Sequence, residues 1–331
     1  MAFQTPRDAL VLAALETTYG TEPTWDAAVH TQLVYGSADQ LWVPNVTYQT
    51  DLNPITGTMT LPPDVIGAVD VTSNMTVLLQ GSGQPSAEPW ISKLLRSAGF
   101  EMIQTALTSP ARKKFQYKLR DTGFESIALE VWHRNIRKVL VGGFSKVTMQ
   151  GDAGGPIKVA FSVSGQLKTH ATATQHASPT KPANRPVFLR KTGLTWDGYA
   201  GLYAKSFSLD FGWGIQPRPD FAQTTSEYGR AGFIMAKRDP KLNLVIEAEQ
   251  DLASFNPYQR MLNGVTSGNL AWAMSSTETT PQDVATITCI NPQVKATPLG
   301  DSNGLLSYNL EIALRNLVAR GEFTLDIVSL D

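Results

Sequence analysis

Residues 146–167 read Lys146-Val-Thr-Met-Gln-Gly-Asp-Ala-Gly-Gly-Pro-Ile-Lys-Val-Ala-Phe-Ser-Val-Ser-Gly-Gln-Leu167, and the rest of the chain can be interpreted from this stretch. Val159, Phe161 and Val163 alternate with polar or small residues, which is the period-two pattern of a strand with one buried face. The glycines and the aspartate ahead of them tolerate positive φ, so the chain can reverse there. The stretch therefore predicts a β-hairpin.

The same hairpin pattern returns near the C-terminus at a constant offset. Past the turn, the apolar Val159, Phe161 and Val163 correspond to Tyr308, Leu310 and Ile312. Gly-Asp hairpins are common, so one hairpin alone is compatible with coincidence. The turn residues also match one for one, Lys146, Thr148, Gly151, Asp152 and Gly155 against Lys295, Thr297, Gly300, Asp301 and Gly304.

The context upstream of the two hairpins also repeats. An alternating strand at 69–80 is followed by a helical pattern at 89–98, and a strand at 242–248 is followed by a helical pattern at 255–262. Both helical patterns contain a proline and an aromatic residue at the start and end before a glycine, as helices often do. The order strand, helix, strands, hairpin is written twice, which predicts an internal duplication.

Length and composition favour two mainly β domains. The chain has 331 residues, about twice the usual domain size of about 150, with 26 Gly and 20 Pro among short alternating runs. Residues 169–186 have linker composition. We therefore predict an N-terminal arm at 1–24, a first domain at 25–180 and a second domain at 181–331, each domain with one short flanking helix.

Charge and cysteine content exclude several classes of protein. Charged residues are 17% of the chain, below the usual quarter, which suggests that much of the surface is covered. The formal net charge is −1, and neither half is basic enough for tight nucleic-acid binding. Cys289 is the single cysteine, and no apolar run or N-terminal signal indicates a membrane or secretion. We expect a protein made and kept in a cytoplasm.

One basic stretch with interleaved aromatics lies at 112–120. A nucleic-acid face is one interpretation of this pattern. A solvated strand face, or a sheet edge protected by Lys and Arg, is the other and is favoured, because β-proteins commonly manage exposed edges in this way.

Two long loops lie between predicted strands at equivalent places, at 50–68 and 216–230. Connections of this length are unusual in compact domains and tend to be functional. We predict that both are contact loops, with candidate contact residues Asp51, Asn53, Pro54, Pro62, Pro63, Asp64, Pro217, Arg218, Asp220 and Glu227.

No catalytic, metal or cofactor site is predicted. The four histidines form no zinc-binding helix motif, and a single cysteine makes a structural zinc site very difficult to build. Phosphate-binding, dinucleotide-binding and nucleophile-elbow motifs are missing from the sequence. Carboxylates such as Asp64, Asp70 and Asp152 lie near turns, where they usually cap or face solvent. The sequence points away from an enzyme.

Three stretches of the chain form a recognisable set. The first is Leu15-Glu-Thr-Thr-Tyr-Gly-Thr-Glu-Pro-Thr24. The second is Val77-Leu-Leu-Gln-Gly-Ser-Gly83, followed by Pro89-Trp90 and Leu94-Leu-Arg-Ser-Ala-Gly-Phe100. The third is Gly142-Gly-Phe-Ser-Lys-Val-Thr148 with the hairpin behind it. In the order and spacing of these stretches the chain resembles the tail tube, or major tail, proteins of long, non-contractile-tailed bacteriophages.

The resemblance implies β-sandwich or barrel-like units whose inner sheets join across subunits into a ring, and rings that stack into a tube. With two such units per chain we expect a trimeric ring with pseudo-six-fold symmetry, a hexamer being the alternative. The two loops would reach the next ring and residues 6–24 would lock neighbours. The lumen would be polar and acidic.

The implied partners are further copies of the chain, other tail proteins at the tube ends and the tape-measure protein in the lumen during assembly. Double-stranded DNA would pass through without sequence-specific binding, and no membrane is involved. The location would be the virion tail, assembled in the host cytoplasm. Two alternatives remain: an enzyme with an unrecognised site, and a carbohydrate-binding β-sandwich, suggested by Trp42, Trp132, Trp196 and Trp213.

Overall fold

The computed structural model describes most of the chain in short and long segments separated by gaps. The described ranges are 9–35, 39–49, 65–84, 86–108, 111–177, 179–180, 184–190, 193–219, 230–248, 255–264, 268–275, 283–302, 304–315 and 322–329. The protein is mainly β, as the sequence predicts.

In chain order the strands are β1 Ala9–Leu15, β2 Thr31–Gln32, β3 Val43–Gln49, β4 Val65–Leu78, β5 Phe100–Thr108, β6 Ala111–Leu119, β7 Ile127–His133, β8 Ile136–Asp152, β9 Lys158–Thr172, β10 Thr195–Trp196, β11 Ala204–Asp210, β12 Ile215–Pro219, β13 Arg230–Met235, β14 Lys241–Glu247, β15 Asn269–Ser275, β16 Asp283–Ile290, β17 Pro292–Ala296, β18 Leu299–Ser302, β19 Leu305–Leu314 and β20 Phe323–Ser329. The helices are α1 Ala27–His30, α2 Ser92–Ser97 and α3 Pro257–Leu262.

The larger sheet has twelve strands and is organised around β8. Strand β9 follows one edge of β8 over nearly its whole length, while β7 and then β11 follow the other edge. Outward from β9 come β4 and β3, and outward from β11 come β14, β19 and the pair β17 and β18. One continuous path of strands therefore crosses from the first half of the chain into the second.

The smaller sheet has six strands in the order β10, β15, β16, β20, β6, β5. The last described strand of the chain, β20, lies between β16 and β6 and so joins the two halves. Phe100, Phe211 and Phe323 meet edge-to-face in the core, with ring centroids 4.9 to 6.1 Å apart. Each half contributes to both sheets, and the division at 180 and 181 stays a prediction.

The two predicted helical segments are both helices, each somewhat shorter than predicted. Helix α3 begins at Pro257, after Asn256 whose side chain accepts a hydrogen bond from the Gln259 nitrogen at 2.9 Å. Helix α2 begins at Ser92 and packs on the sheet through Leu94 and Leu95, which are fully buried. A capping side chain marks the start of α3, whereas α2 has no side-chain cap at its start and is held by its buried apolar side.

The predicted N-terminal arm at 1–24 is described from residue 9 onward. Ala9–Leu15, for which the sequence left a helical and an extended form open, is strand β1. It pairs with β7 along its whole length and with β2 on its other edge, and residues 10–14 are buried. Because its apolar residues are covered by the chain itself, this segment is part of the sheet, and the prediction that the arm contacts neighbouring subunits stays a prediction.

Candidate assembly surfaces

Polar and small side chains cover the outer side of the larger sheet in rows that cross both halves of the chain. Strand register places one residue from each of β4, β9, β8, β11, β14 and β19 in a row. Two complete rows are Thr76, Ala160, Thr148, Asp210, Lys241, Ala313 and Leu78, Lys158, Gln150, Ser208, Asn243, Glu311. Shorter rows are Asn74, Ser162, Lys146 and Asp152, Ser206, Val245, Asn309. We call the surface made by these rows the polar face.

The alternation of side chains puts an apolar row directly behind the polar face. Its members are at most 4% exposed: Val77, Val159, Met149, Leu209, Leu242 and Ile312. Successive residues of a strand point to opposite faces, so the core fixes which residues make the polar face.

The charges of the polar face are balanced. Its rows carry three lysines and three carboxylates, Lys146, Lys158, Lys241, Asp152, Asp210 and Glu311. Hydroxyl and amide side chains, or small apolar ones, make up most of the remainder. A depression of about 450 Å³ lies on this face, with Tyr35 and Gln40 beside Lys146 and Asp210. Such a surface offers no cluster of cations for holding a phosphate backbone.

The path of strands under the polar face has two outer edges. Strand β3 pairs only with β4, and β17 and β18 pair only with β19, among the described residues. Apolar side chains are exposed near both edges: Val46, Tyr48 and Ile66 in the β3–β4 hairpin, and Leu299, Leu305 and Leu306 in the β18–β19 hairpin. Unpaired edges with apolar flanks are surfaces that recruit another strand.

The described strands border the two predicted contact loops, with β3 and β4 on either side of 50–64 and β12 and β13 on either side of 220–229. In β3–β4, Tyr48 is opposite Ile66, and in β12–β13, Ile215 is opposite Met235. Pro217 and Arg218 lie in β12, where their side chains are exposed. The other candidate contact residues, Asp51, Asn53, Pro54, Pro62, Pro63, Asp64, Asp220 and Glu227, lie outside the described residues.

The predicted turn glycines have two different roles. Positive φ occurs at Gly154 in the first hairpin, one position before Gly155, and at Gly304 in the second. Asp301 accepts a hydrogen bond from the Gly304 nitrogen at 2.7 Å, and the Asp152 carbonyl accepts one from the Gly155 nitrogen at 2.9 Å. A Cβ added at Gly151 would lie 2.5 Å from Leu189, so that glycine permits close packing.

The basic stretch at 112–120 is strand β6 and belongs to the smaller sheet, away from the polar face. It pairs with β5 on one edge and β20 on the other, so it is a solvated strand face and not a sheet edge. Lys114 pairs with Asp326 at 3.3 Å, and the Gln116 amide donates to the same carboxylate at 2.8 Å. Phe115 and Tyr117 point into the core.

The four tryptophans that suggested carbohydrate binding offer little surface. Trp132, Trp196 and Trp213 are at most 5% exposed, and Trp42 packs on the core under the ammonium group of Lys138.

The described residues contain no group of three His, Cys, Asp or Glu side chains that could hold a metal. The helices in the described segments have at most six residues, which is too short to cross a bilayer.

Sequence patterns missed two residues that shape these surfaces. Tyr19 holds the β12–β13 hairpin to the first half through hydrogen bonds to Gly142 and Phe233. Leu299, next to a predicted turn, is 60% exposed at the outer edge of β18. The bulge between Val294 and Ala296, which is invisible in the sequence, places Leu299 on the core-facing side of the sheet.

Comparison with known proteins supports one family. A search of curated proteins returned no match for the chain. The family model described as phage tail tube protein matches residues 6–313, which is most of the 331 residues and includes both hairpins and the whole polar face. The chain therefore belongs to the phage tail tube protein family.

Proposed function

We propose that this protein polymerises as stacked rings into the hollow tail tube through which phage DNA is delivered to the host. The observation that carries the proposal is the polar face. It is a wide surface formed by strands from both halves of the chain. The opposite face of the same strands is apolar and packs in the core. A family role as a structural part of the virion tail agrees with it.

The polar face suits the wall of the lumen. DNA passing through a tube must not be retained, and phosphate binds to surfaces rich in Lys and Arg. Hydroxyl, amide and balanced charged side chains avoid that retention without the acidic excess that the resemblance implied. The basic face of β6 would lie on the other side of the sandwich, away from the DNA.

Register supports the proposed internal duplication. In each half, the second strand of the hairpin pairs with a strand that precedes the hairpin in the sequence. Strand β9 pairs with β4, where Phe161 is opposite Met75, and β19 pairs with β14, where Leu310 is opposite Leu244. Phe161 and Leu310 are matched positions of the two hairpins. The strand sets β3, β4, β9, β8 and β11, β14, β19, β17–β18 therefore follow one pattern, and β8 pairs with β11 where the two sets meet.

Two repeats in one chain favour a trimeric ring with six repeats around the lumen. Contacts that are head to tail and close by rotation give rings. A hexamer is the alternative, in which six chains would give a wall of twelve repeats or leave the second half outside the wall. The inner sheets would join at β3 and β18, and closure would leave no open edge.

Stacking would use the two ends of the sheet. The β3–β4 hairpin, which leads into 50–64, and the β12–β13 hairpin, which leads into 220–229, would carry contact loops at one end, and the turn at 153–157 and Gly304 would lie at the other. Loops of one ring would then meet turns of the next. Proteins at the tube ends and the tape-measure protein inside the lumen would complete the assembly in the host cytoplasm.

The experiment is negative-stain microscopy together with light scattering on the purified protein at rising concentration. Hollow tubes, or rings of three subunits, are the expected result, and rings of six would favour the hexamer. A monomer at every concentration, even with an isolated tail tip complex added as initiator, would overturn the proposal. Glycan binding by that monomer would move the carbohydrate-binding alternative forward.

A further inference from the structure

Met149 and Leu299 occupy the same place in the two repeats but differ in burial. Met149 is opposite Val159 in the first hairpin, and Leu299 is opposite Tyr308 in the second, where Val159 and Tyr308 are matched positions. Met149 is fully buried, whereas Leu299 is 60% exposed. Burial of an apolar side chain is favourable, so the exposed Leu299 offers a partner a surface to cover.

The neighbouring strand accounts for the difference. Strand β11 lies along the outer edge of β8, with Leu209 opposite Met149 and Ser208 opposite Gln150. No described strand lies along the corresponding edge of β18. Strand β18 of the second repeat therefore has an open edge among the described residues, whereas β11 covers the corresponding edge of β8 in the first repeat.

The chain also contains the counterpart of β11 at its other outer edge. Asn74 and Asn243 are matched positions, since they are opposite Ser162 and Glu311, which correspond in the two hairpins. Asn243 is opposite Ser208, and the Asn74 nitrogen donates to the Gln40 carbonyl at 2.8 Å. Through this hydrogen bond Gln40, in the turn before β3, takes the place beside Asn74 that Ser208 takes beside Asn243, and the stretch from Gln40 to Val43 holds one residue more than the stretch of β4 that it faces. Gln40 is exposed and lies just before β3.

We propose that β18 of one copy pairs, antiparallel, with residues 40–43 of the next copy, in the register of the internal β8–β11 junction. Gln40 would lie opposite Gly300, as Ser208 lies opposite Gln150, and Leu41 would lie opposite Leu299, as Leu209 lies opposite Met149. This rests on the proposed ring and adds which edges meet and in which register. The partner is a second copy because the chain carries both sides of the junction.

Disulfide cross-linking tests the register. Directly opposed residues of antiparallel strands have Cα atoms about 4.5–5.5 Å apart, within reach of a disulfide. The variant is Gln40→Cys with Gly300→Cys; the native Cys289 is fully buried and does not interfere. Oxidation of assembled protein should give covalent dimers and trimers on non-reducing gels. Ser208→Cys with Gln150→Cys, the internal counterpart, should close within one chain and give no larger species.

A single substitution tests the same edge without cross-linking. Leu299→Asp should abolish rings, whereas Leu262→Asp, at a leucine 61% exposed on α3, should leave them intact. Both variants should unfold at the wild-type temperature as monomers, because each leucine is mostly exposed.

The results separate the register from the tube itself. Tubes that form while the internal control closes and the Gln40–Gly300 pair does not would overturn the register and leave the proposed function standing. Rings that persist in Leu299→Asp would overturn the edge assignment. Absence of rings in the wild type would instead count against the proposed function.

Discussion

The hydroxyl of Tyr19 accepts a hydrogen bond from the backbone nitrogen of Phe233 at 2.7 Å, although the two residues are 214 positions apart. It also donates to the Gly142 carbonyl at 3.2 Å. An added Cβ would lie 2.9 Å from the Tyr19 ring at Gly142 and 1.9 Å from its hydroxyl at Gly232. Burial raises the pKa of Tyr19, so the hydroxyl stays protonated and able to donate. One side chain thus holds the β12–β13 hairpin against the first half.

Tyr19→Phe should therefore cost about 1–3 kcal/mol of unfolding free energy, because the Phe233 nitrogen and the Gly142 oxygen lose their partner while the ring still fills its slot. Urea unfolding measures the loss, and limited proteolysis should show faster cleavage within 212–237. Tyr203→Phe is the control, since Tyr203 is 73% exposed. Equal stability of the two variants would contradict the role given to Tyr19.

Arg137→Ala should be among the most destabilising single changes on the outer side of β7 and β8. The Glu130 side chain is fully buried, and it accepts hydrogen bonds from Arg137 at 2.5 Å and approaches His176 at 2.9 Å. Removing the arginine leaves a buried carboxylate without its main partner, which costs about 3–5 kcal/mol.

The matched control for Arg137 is Arg315→Ala. Arg315 pairs with Asp239 at 3.0 Å, but its side chain is 63% exposed, so the loss should stay below about 1 kcal/mol. Chemical denaturation of both variants gives the comparison. The double variant Arg137→Ala with Glu130→Gln should recover part of the lost unfolding free energy. No recovery would contradict the explanation that Arg137→Ala leaves the Glu130 carboxylate buried without its main partner.

Asp283 should give the fold a pH dependence. Its carboxylate accepts hydrogen bonds from the Gly81 nitrogen at 3.0 Å and the Ser329 hydroxyl at 2.8 Å, and it also contacts the Asn184 amide. Burial raises the pKa of this carboxyl despite those bonds. The folded state therefore binds the proton more tightly than the unfolded state does.

The contribution of a raised carboxyl pKa is present below the ordinary value of 3.8 and is lost as pH rises through the folded value. Relative to Asp283→Asn, the wild type should lose stability over that interval. Thermal unfolding of both proteins from pH 3 to pH 8 measures the difference. A stability difference that is constant with pH would refute the role of this proton.

Positive charge on the polar face should slow DNA transit without preventing assembly. Ser208→Lys with Asn243→Lys adds two cations at neighbouring exposed positions. We expect tubes of normal appearance that bind DNA in a salt-dependent way, and virions that eject DNA more slowly. Thr286→Lys with Thr288→Lys, on the outer side of the smaller sheet, is the control with the same charge. Equal rates of DNA ejection in both variants would contradict the proposal that the polar face lines the lumen.

The repeated hairpin and the two helices could be predicted because they depend on local signals. Alternation at Val159 and Phe161, and the proline at the start of α3, determine strand and helix whatever lies beside them. The exposed edge could not be predicted in the same way. Leu299 is exposed because no strand of the described residues lies beside β18 on that side, and the bulge before it shifts the register by one residue relative to the sequence alignment.

Two other features depend on pairing between residues far apart in the sequence: the conformation of the N-terminal segment and the way strands from both halves share a sheet. Ala9–Leu15 carries only apolar residues, which suits a strand buried on both faces as well as a short buried helix. This segment is a strand because it pairs with β7, which is more than a hundred residues away in the sequence. The pairing of β20 with β6 likewise has no local signal, so the sequence could not predict that strands from both halves meet in the smaller sheet.

The place of β20 determines when the fold can be completed during synthesis. This strand leaves the ribosome after every other described strand, yet it lies between β16 and β6 in the smaller sheet. Until it arrives, both hairpins of that sheet keep an open edge, and the first half cannot close ahead of the second. A chain that stops before β20 therefore lacks the strand that joins β16 to β6, and completion of the smaller sheet requires translation through Ser329.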